Sequence, residues 1–339
     1  MKALVQGSKH KESLQLREVP EPTPGAMELK VRVEAAGVCG TDVHGIASLE
    51  PPVILGHEFS GVVVERGEEV VGFEVGDRVS SETTVYHCGR CPYCLGGHFN
   101  LCPDRKGLGS RADGVFAEYV IIPQHTAHRL PDTLSYEEGA LLEPFACAVH
   151  GAVEQAAIRA GQTVCVLGPG PLGILVGWLA ARQGAGVVLV GKSEDRMRME
   201  VALRGGIGHL VNSDEVELKQ FVNETFGDYG VDAVFECSGA LGAVYAGLAV
   251  LKKRGLFLQM GILHRPVELD FDRFLFASEL IISGSRTQKK SSWDKAIAIL
   301  SADRFPLQTL VTHRLSLEEW QEGFALTLNR QAIKVILRP

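Results

Sequence analysis

The sequence has no excess of positive charge, no apolar run of membrane-spanning length and too few cysteines for a disulfide scaffold. Each shortage removes a class of function. Lys and Arg number 34 against 41 Asp and Glu, giving a formal net charge of -7 and a pI near 5.9. Phosphate backbones are held by basic faces, so nucleic acid is not an expected partner. A helix that crosses a bilayer needs about 20 apolar residues in a row, and no such run occurs. Met1-Lys2-Ala3-Leu4-Val5-Gln6-Gly7 lacks the apolar core and small-residue cleavage site of an export leader. The expectation is a cytoplasmic protein that meets neither membrane nor nucleic acid and acts on a small molecule. Internal repeats and low-complexity segments are missing too. Eight cysteines in 339 residues are sparse, yet four of them fall between positions 88 and 102, and that clustering points to metal rather than to disulfides.

What is present reads as an ordinary globular chain, 45% hydrophobic and 22% charged with 38 glycines, long enough for two domains. Up to about residue 150, short β-rich runs such as Leu29-Lys30-Val31-Arg32-Val33 and Gly61-Val62-Val63-Val64-Glu65 predict a small, irregular β-barrel or sandwich. After His150 the pattern changes. A helical stretch, Gly151 to Arg159, leads to apolar strands at Thr163–Leu167, Val187–Val190, Ala233–Phe235 and Leu256–Met260, with helical segments between them. That alternation predicts an α/β, doubly wound parallel sheet over 151–284. From about 285 the alternation weakens, and 285–339 is expected to complete the 1–150 domain through a helix, Leu317 to Leu328, and a returning strand, Ile333 to Leu337.

Gly168-Pro169-Gly170-Pro171-Leu172-Gly173 follows the first apolar strand and opens a helix, Leu172 to Arg182. In that context G-x-G-x-x-G is a dinucleotide turn: the first glycine for the bend, the second for approach of the pyrophosphate, the third for close helix packing. The helix N-terminus then faces the phosphates. An acid about 20 positions on marks NAD, but Gly191 stands there, followed by Lys192 and Ser193 with Arg196 close by. A 2′-phosphate would meet small and basic groups, which favours NADP; Glu194 and Asp195 keep NAD as the alternative.

Two residue sets suit metal. Cys88-Gly89-Arg90-Cys91-Pro92-Tyr93-Cys94 followed by Cys102 supplies four thiolates that close a tetrahedral zinc shell, a structural site with no place for water. The second set is dispersed: Cys39, His57, Glu58 and Glu143. A lone cysteine or histidine is usually core, but together these provide the mixed S, N and O ligands of a catalytic zinc with one place open, able to lower the pKa of a bound alcohol. Thr41 follows Cys39 by two residues and can bond a zinc-bound oxygen. An imidazole can take and release protons near neutrality, so His44 can pass a proton on; a surface turn histidine is the alternative.

Gly37-Val38-Cys39-Gly40-Thr41-Asp42-Val43-His44, Gly56-His57-Glu58, the four-cysteine loop and the downstream glycine turn, in this order, resemble the zinc-dependent medium-chain alcohol dehydrogenases. Gly56-His57-Glu58-Phe59-Ser60-Gly61 and Leu142-Glu143-Pro144 look most like the sorbitol, iditol and polyol-phosphate branch, with threonine dehydrogenases as near relatives. The resemblance implies a GroES-like β-barrel catalytic domain and a Rossmann coenzyme domain, with two zinc ions per chain, NADP or NAD, and a homodimer or homotetramer. It implies that Cys39 and His57 ligate the catalytic zinc. Glu58 is a third or exchangeable ligand, and Glu143 holds the zinc directly or through its water; the division between the two glutamates stays open. Thr41 and His44 match the proton relay. The implied reaction is oxidation of a secondary alcohol on a polyol or sugar derivative, with a threonine-like amino alcohol as runner-up. A non-catalytic, zinc-stabilised dinucleotide-binding protein is the alternative of another class. Two departures stand out. The loop from Gly45 to Pro52 is shorter than in the family. Gln288 stands five residues before Trp293, where sorbitol-type enzymes often place an arginine, and the flanking Arg286, Lys289 and Lys290 read as a solvated cluster.

Overall fold

The computed structural model describes residues 1–45, 49–303 and 305–339. The chain forms two compact units, Met1–Ala146 with Thr287–Pro339, and Cys147–Arg286. Residues 46–48 of the shortened loop lie outside the described residues.

Period-two alternation builds the first unit. Along the strand Glu28–Gly37, Leu29, Val31 and Val33 are buried on one face, as side chains two apart must be. Phe59 and Val63 of the strand Glu58–Arg66 enter the same core, with Leu108, Phe116, Ile122, Val335 and Leu337. Full burial of each such side chain stabilises the fold by roughly 1.5–3 kcal/mol. The main sheet runs in the order Ala127–Arg129, Arg78–Ser81, Glu58–Arg66, Glu28–Gly37, Lys334–Arg338, Val311–Ser316, and Tyr119–Pro123 also pairs with Glu28–Gly37. Only Val311–Ser316 and Lys334–Arg338 run parallel. The tail strand therefore joins this sheet, with Ile336 opposite Gly37 and Leu337 opposite Ala36. Because Val335 and Leu337 face the core, Lys334 turns to the other face, as Glu58 does next to Phe59.

The second unit is a six-stranded parallel sheet in the order His209–Asn212, Gly186–Gly191, Thr163–Leu167, Val231–Glu236, Leu251–Gln259, Ile281–Gly284. Counted along the chain this is 3-2-1-4-5-6, the doubly wound order of dinucleotide-binding sheets. Strands covered on both faces carry continuous apolar runs, and Val164, Cys165, Val166 and Leu167 are all buried. Helices Pro171–Arg182, Arg196–Arg204, Leu218–Phe226 and Leu241–Val250 alternate with the strands.

Two local expectations change. The helix expected from Gly151 to Arg159 begins earlier, as Leu142–Val149, and continues as a π-turn over His150–Gln155. Pro144 sits in its first turn, where a missing N–H costs nothing, and Ala157 adopts φ 48°, which ends it. In the tail, where alternation was expected to weaken, a helix Lys290–Ala302 forms, with Lys290 paired to Asp294 one turn on (2.8 Å). No helix among the described residues is long and apolar enough to cross a membrane.

Candidate active site and metal centres

The four-cysteine segment draws its thiols together largely by itself. The Sγ atoms of Cys88, Cys91, Cys94 and Cys102 all lie within 4.8 Å of one another. Cys88 and Cys94 are 3.9 Å apart, too far for an S–S bond of about 2.05 Å and close to the ~3.8 Å edge of a tetrahedron with Zn–S near 2.3 Å. Backbone N–H groups converge on the sulfurs: Cys91 donates to Cys88 (3.4 Å), Cys94 to Cys91 (3.5 Å) and Cys88 to Cys102 (3.4 Å). Donors from Arg90 and Cys91 hold the Cys88 thiol down to about 6, so a thiolate is favoured at neutral pH. Donor set and spacing fit a closed zinc shell.

The second cluster is assembled from distant segments, all within the first unit. Cys39 precedes the short helix Gly40–His44, and His57 and Glu58 stand at the start of a buried strand. Their ligand atoms also lie within 4.8 Å of one another. Asp42 ties the set together: its Oδ2 accepts from the Cys39 N–H (2.9 Å), and Oδ1 sits 3.4 Å from His57 Nδ1. Among the described residues no other hydrogen-bond partner is found for that buried Oδ1. A supporting carboxylate on one ring nitrogen, leaving Nε2 for a metal, is how metal-binding histidines are oriented, so these residues fit zinc. Burial opposes the His57 cation, but Asp42 and then Cys39 outweigh it and raise the pKa well above the ordinary value.

The two glutamates are held in different ways. Lys334, 3% exposed, donates to both carboxylate oxygens of Glu58 (2.8 and 2.6 Å) and to the Val38 carbonyl (3.1 Å). Burial works against its ammonium, but Glu58 and Cys39 keep the Lys334 pKa above the ordinary lysine value. Glu143 instead accepts at Oε1 from two neutral donors, Thr83 Oγ1 (2.8 Å) and Gln288 Nε2 (3.0 Å). Burial pushes its carboxyl up; Glu58 adds to the rise and His57 opposes it. Gln288 is thus a buried support of Glu143 and Thr83. Thr41 and His44 lie three apart on the helix Gly40–His44, Thr41 half-buried and His44 exposed, and so share a face.

In the second unit the glycine turn has the geometry its spacing demands. Gly168 has φ 100°, and a Cβ there would meet Ser238 at 2.7 Å; one at Gly173 would strike the Gly168 carbonyl at 2.0 Å. Gly170 caps the helix Pro171–Arg182 and faces open space, which leaves the helix N-terminus approachable at Pro171 and Leu172. Gly191 ends the next strand, and a Cβ there would meet Pro169 at 2.9 Å and Met199 at 3.0 Å. Asp195 is buried, accepting from Lys192 N–H (3.1 Å) and Arg198 (3.3 Å), and exposed Arg196 pairs with Glu200 (3.1 Å). A carboxylate not expected from the sequence stands here: Asp214 accepts from the Ser193 N–H (2.9 Å) and lies 3.9 Å from Lys192 Nζ.

Comparison with known proteins follows this division. Residues 25–132 match the family described as alcohol dehydrogenase GroES-like domain, and residues 171–302 the family described as zinc-binding dehydrogenase. The sorbitol dehydrogenase of Halalkalibacterium halodurans is 42% identical over 100% of this chain and 99% of its own length. The chain belongs to the zinc-dependent alcohol dehydrogenase family. A D-arabitol-phosphate dehydrogenase of Enterococcus avium is 39% identical over 94% of this chain and 91% of its own. Among solved structures, a zinc-binding dehydrogenase of Sinorhizobium meliloti 1021 bound to NADP superposes with a TM-score of 0.92 at 33% identity, covering 100% of this chain and 99% of that one. The protein is an α/β oxidoreductase with a GroES-like domain and a Rossmann domain, of the polyol branch near threonine dehydrogenase.

Signals for the missed partners were faint. Asp42 stands at the third position of the helix that Cys39 begins, a helix-start acid. Lys334 is the one charge inside the apolar run Ile333 to Leu337.

Proposed function

We propose that the protein reversibly oxidises a secondary alcohol on a polyol or sugar derivative, passing hydride to NAD(P) with NADP preferred. The observation that carries this reading is the convergence of Cys39, His57 and Glu58, with ligand atoms within 4.8 Å, around a supporting Asp42. Zinc held there supplies the Lewis acidity that eases loss of the hydroxyl proton from the substrate. Cys39 and His57 bind it, Glu58 is the third protein ligand, and Asp42 fixes the imidazole. Glu143, steadied by Thr83 and Gln288, stands beside the centre and orders water or substrate. Thr41 accepts the proton and His44, exposed one turn on, delivers it to solvent. Cys88, Cys91, Cys94 and Cys102 hold a second, structural zinc.

Residues 1–150 with 285–339 form the catalytic domain in this reading, and 151–284 the coenzyme domain. Gly168, Gly170, Pro171, Leu172 and Gly173 receive the pyrophosphate. Gly191, Lys192, Ser193 and Arg196 receive the adenosine 2′-phosphate, against which Asp214 acts as a counterweight. The enzyme works in the cytoplasm as a homodimer or homotetramer. Support for self-association comes from the edge strand Ile281–Gly284, where Ile281 and Ile282 are exposed; an uncovered apolar edge is a template for pairing with a second copy.

A coupled absorbance screen over polyols, their phosphates, aldoses and threonine, with each coenzyme, tests the proposal. Reduction of NADP at higher kcat/KM than NAD with a polyol supports it. Turnover of threonine alone moves the substrate to amino alcohols. No turnover of any alcohol by a protein holding about two zinc ions per chain refutes it.

A further inference from the structure

Gly191 ends its strand at the position where an acid marks NAD, and it has little room for any side chain: a Cβ there would also meet Asp195 at 3.2 Å, besides Pro169 and Met199. A carboxylate reaches the same place from the next strand. Gly191 lies opposite Asn212 in the parallel pairing of Gly186–Gly191 with His209–Asn212. Ser213 ties the chain to the Gly191 carbonyl through both its N–H (2.9 Å) and its hydroxyl (3.1 Å). Asp214 then meets Ser193, whose N–H donates to its Oδ2 (2.9 Å), with Lys192 Nζ 3.9 Å from Oδ1. Asn212 braces both partners, donating to Ser193 Oγ (3.0 Å) and accepting from the Asp214 N–H (3.1 Å).

The Ser193 N–H, the Ser193 hydroxyl and the Lys192 ammonium are the donors that a phosphate would use here, and a carboxylate already holds them. The Ser193 N–H first, then the Ser193 hydroxyl and Lys192, keep the Asp214 carboxyl below the usual range against the opposing effect of burial. Two anions do not share one set of donors, since each N–H has a single proton to give and like charges a few ångströms apart repel. A seat filled from within the chain is open only for the fraction of time its occupant leaves, and the apparent dissociation constant of the incoming anion rises in proportion. A coenzyme without that phosphate asks nothing of the seat. Its ribose hydroxyls are neutral and can donate to a carboxylate where it stands.

We propose that Asp214 is a specificity-determining residue for the coenzyme, an internal substitute for the 2′-phosphate that occupies the Ser193 and Lys192 donors, must yield them when NADP binds, and leaves NAD unhindered. The carboxylate that the strand Gly186–Gly191 has no room to carry is thus supplied by the segment after His209–Asn212, and it holds the preference for NADP down. The inference rests on the adenosine 2′-phosphate lying at Lys192 and Ser193, as proposed above.

The test uses the full-length protein and a pair of probes, adenosine 2′,5′-bisphosphate and adenosine 5′-monophosphate, with binding measured by calorimetry. Asp214→Asn and Asp214→Ala should each tighten the bisphosphate about tenfold, the scale of one hydrogen bond to a charged group, and leave the monophosphate unchanged. In turnover, KM for NADP should fall while KM for NAD stays. Glu215→Gln removes an exposed neighbouring charge without emptying the seat and should change neither probe. Unchanged bisphosphate affinity in both Asp214 variants overturns the proposal, and so does equal tightening of both probes. The same gain from Glu215→Gln also overturns it, because net charge rather than occupancy would then be the cause. Lys192→Met added to Asp214→Asn tests the underlying placement and should weaken the bisphosphate alone. If it weakens neither probe, the 2′-phosphate does not lie at Lys192 and the placement itself fails, whatever the Asp214 variants do.

Discussion

Cys88, Cys91, Cys94 and Cys102 meet within one short segment, and their sulfurs are steadied by N–H groups of the same segment. Cys39 comes from one segment and the adjacent His57 and Glu58 from another, and their supports, Asp42 and Lys334, reach as far as the final strand. Four thiolates at the first site would saturate a zinc ion and leave no place for a substrate. The second mixes ligand types and surrounds them with groups that tune charge: one supporting acid, one buried cation and a second glutamate on neutral donors. A closed local site can be structural at small cost in long-range organisation, whereas a reactive site needs partners that only a finished fold brings together.

The largest expected effect separates the two sites directly. Cys39→Ser should lower kcat/KM by about 10³-fold or more, the equivalent of several kcal/mol of lost Lewis-acid stabilisation, while metal analysis shows one zinc lost and thermal unfolding moves little. Cys94→Ser should reverse the pattern: one zinc lost, a melting temperature lower by several degrees, and kcat/KM of the remaining folded enzyme within a few-fold of wild type. Similar activity losses in both variants would erase the distinction.

A smaller effect is expected one step out from the ligands. Asp42→Asn keeps the shape but removes the charge beside His57 and should weaken catalytic-zinc affinity or activity by about 10- to 100-fold, measured by chelator titration and turnover. The four-cysteine zinc should be untouched. Equal loss from both sites would show that Asp42 supports folding rather than metal.

The smallest effect comes from a carboxylate clamped by cations away from either metal. Glu137 accepts from Arg314 (2.7 Å) and Arg338 (2.6 Å), and these bonds, Arg314 first, keep its carboxyl below the usual range against the opposing effect of burial. A lowered folded pKa stabilises the protein above the unfolded carboxyl pKa, about 4.3, and the benefit is lost as pH falls through the folded value. Glu137→Gln should therefore cost about 1–2 kcal/mol at pH 7 in urea unfolding, with a gap that closes only in acid, and should leave zinc content and kcat/KM unchanged. A change in either would mean that this carboxylate–cation cluster also bears on the metal centre.

Much of the molecule was legible before its structure. The α/β class, the glycine turn and the four-cysteine spacing all express short-range rules: strand alternation repeats every two residues, a bend needs glycine at fixed offsets, and a tetrahedral thiolate shell needs ligands a few residues apart. The helix expected from Gly151 begins at Leu142, because Pro144 falls in its first turn, where a missing N–H does not break it. Gln288 stands at the offset where sorbitol-type enzymes often place an arginine, yet it lies buried against Glu143 and Thr83. Asp214 went unseen because the strand that presents it beside Ser193 comes after an intervening helix.

By itself the sequence determined which groups are available: the thiols, His57, two glutamates, the glycines that permit a dinucleotide turn, and their order along the chain. Only the tertiary structure decided how they are paired. Lys334 becomes the partner of Glu58 because sheet register sets the final strand two places away. Charges buried together interact over a few ångströms whatever their separation in sequence, and no local pattern encodes which distant charge will arrive.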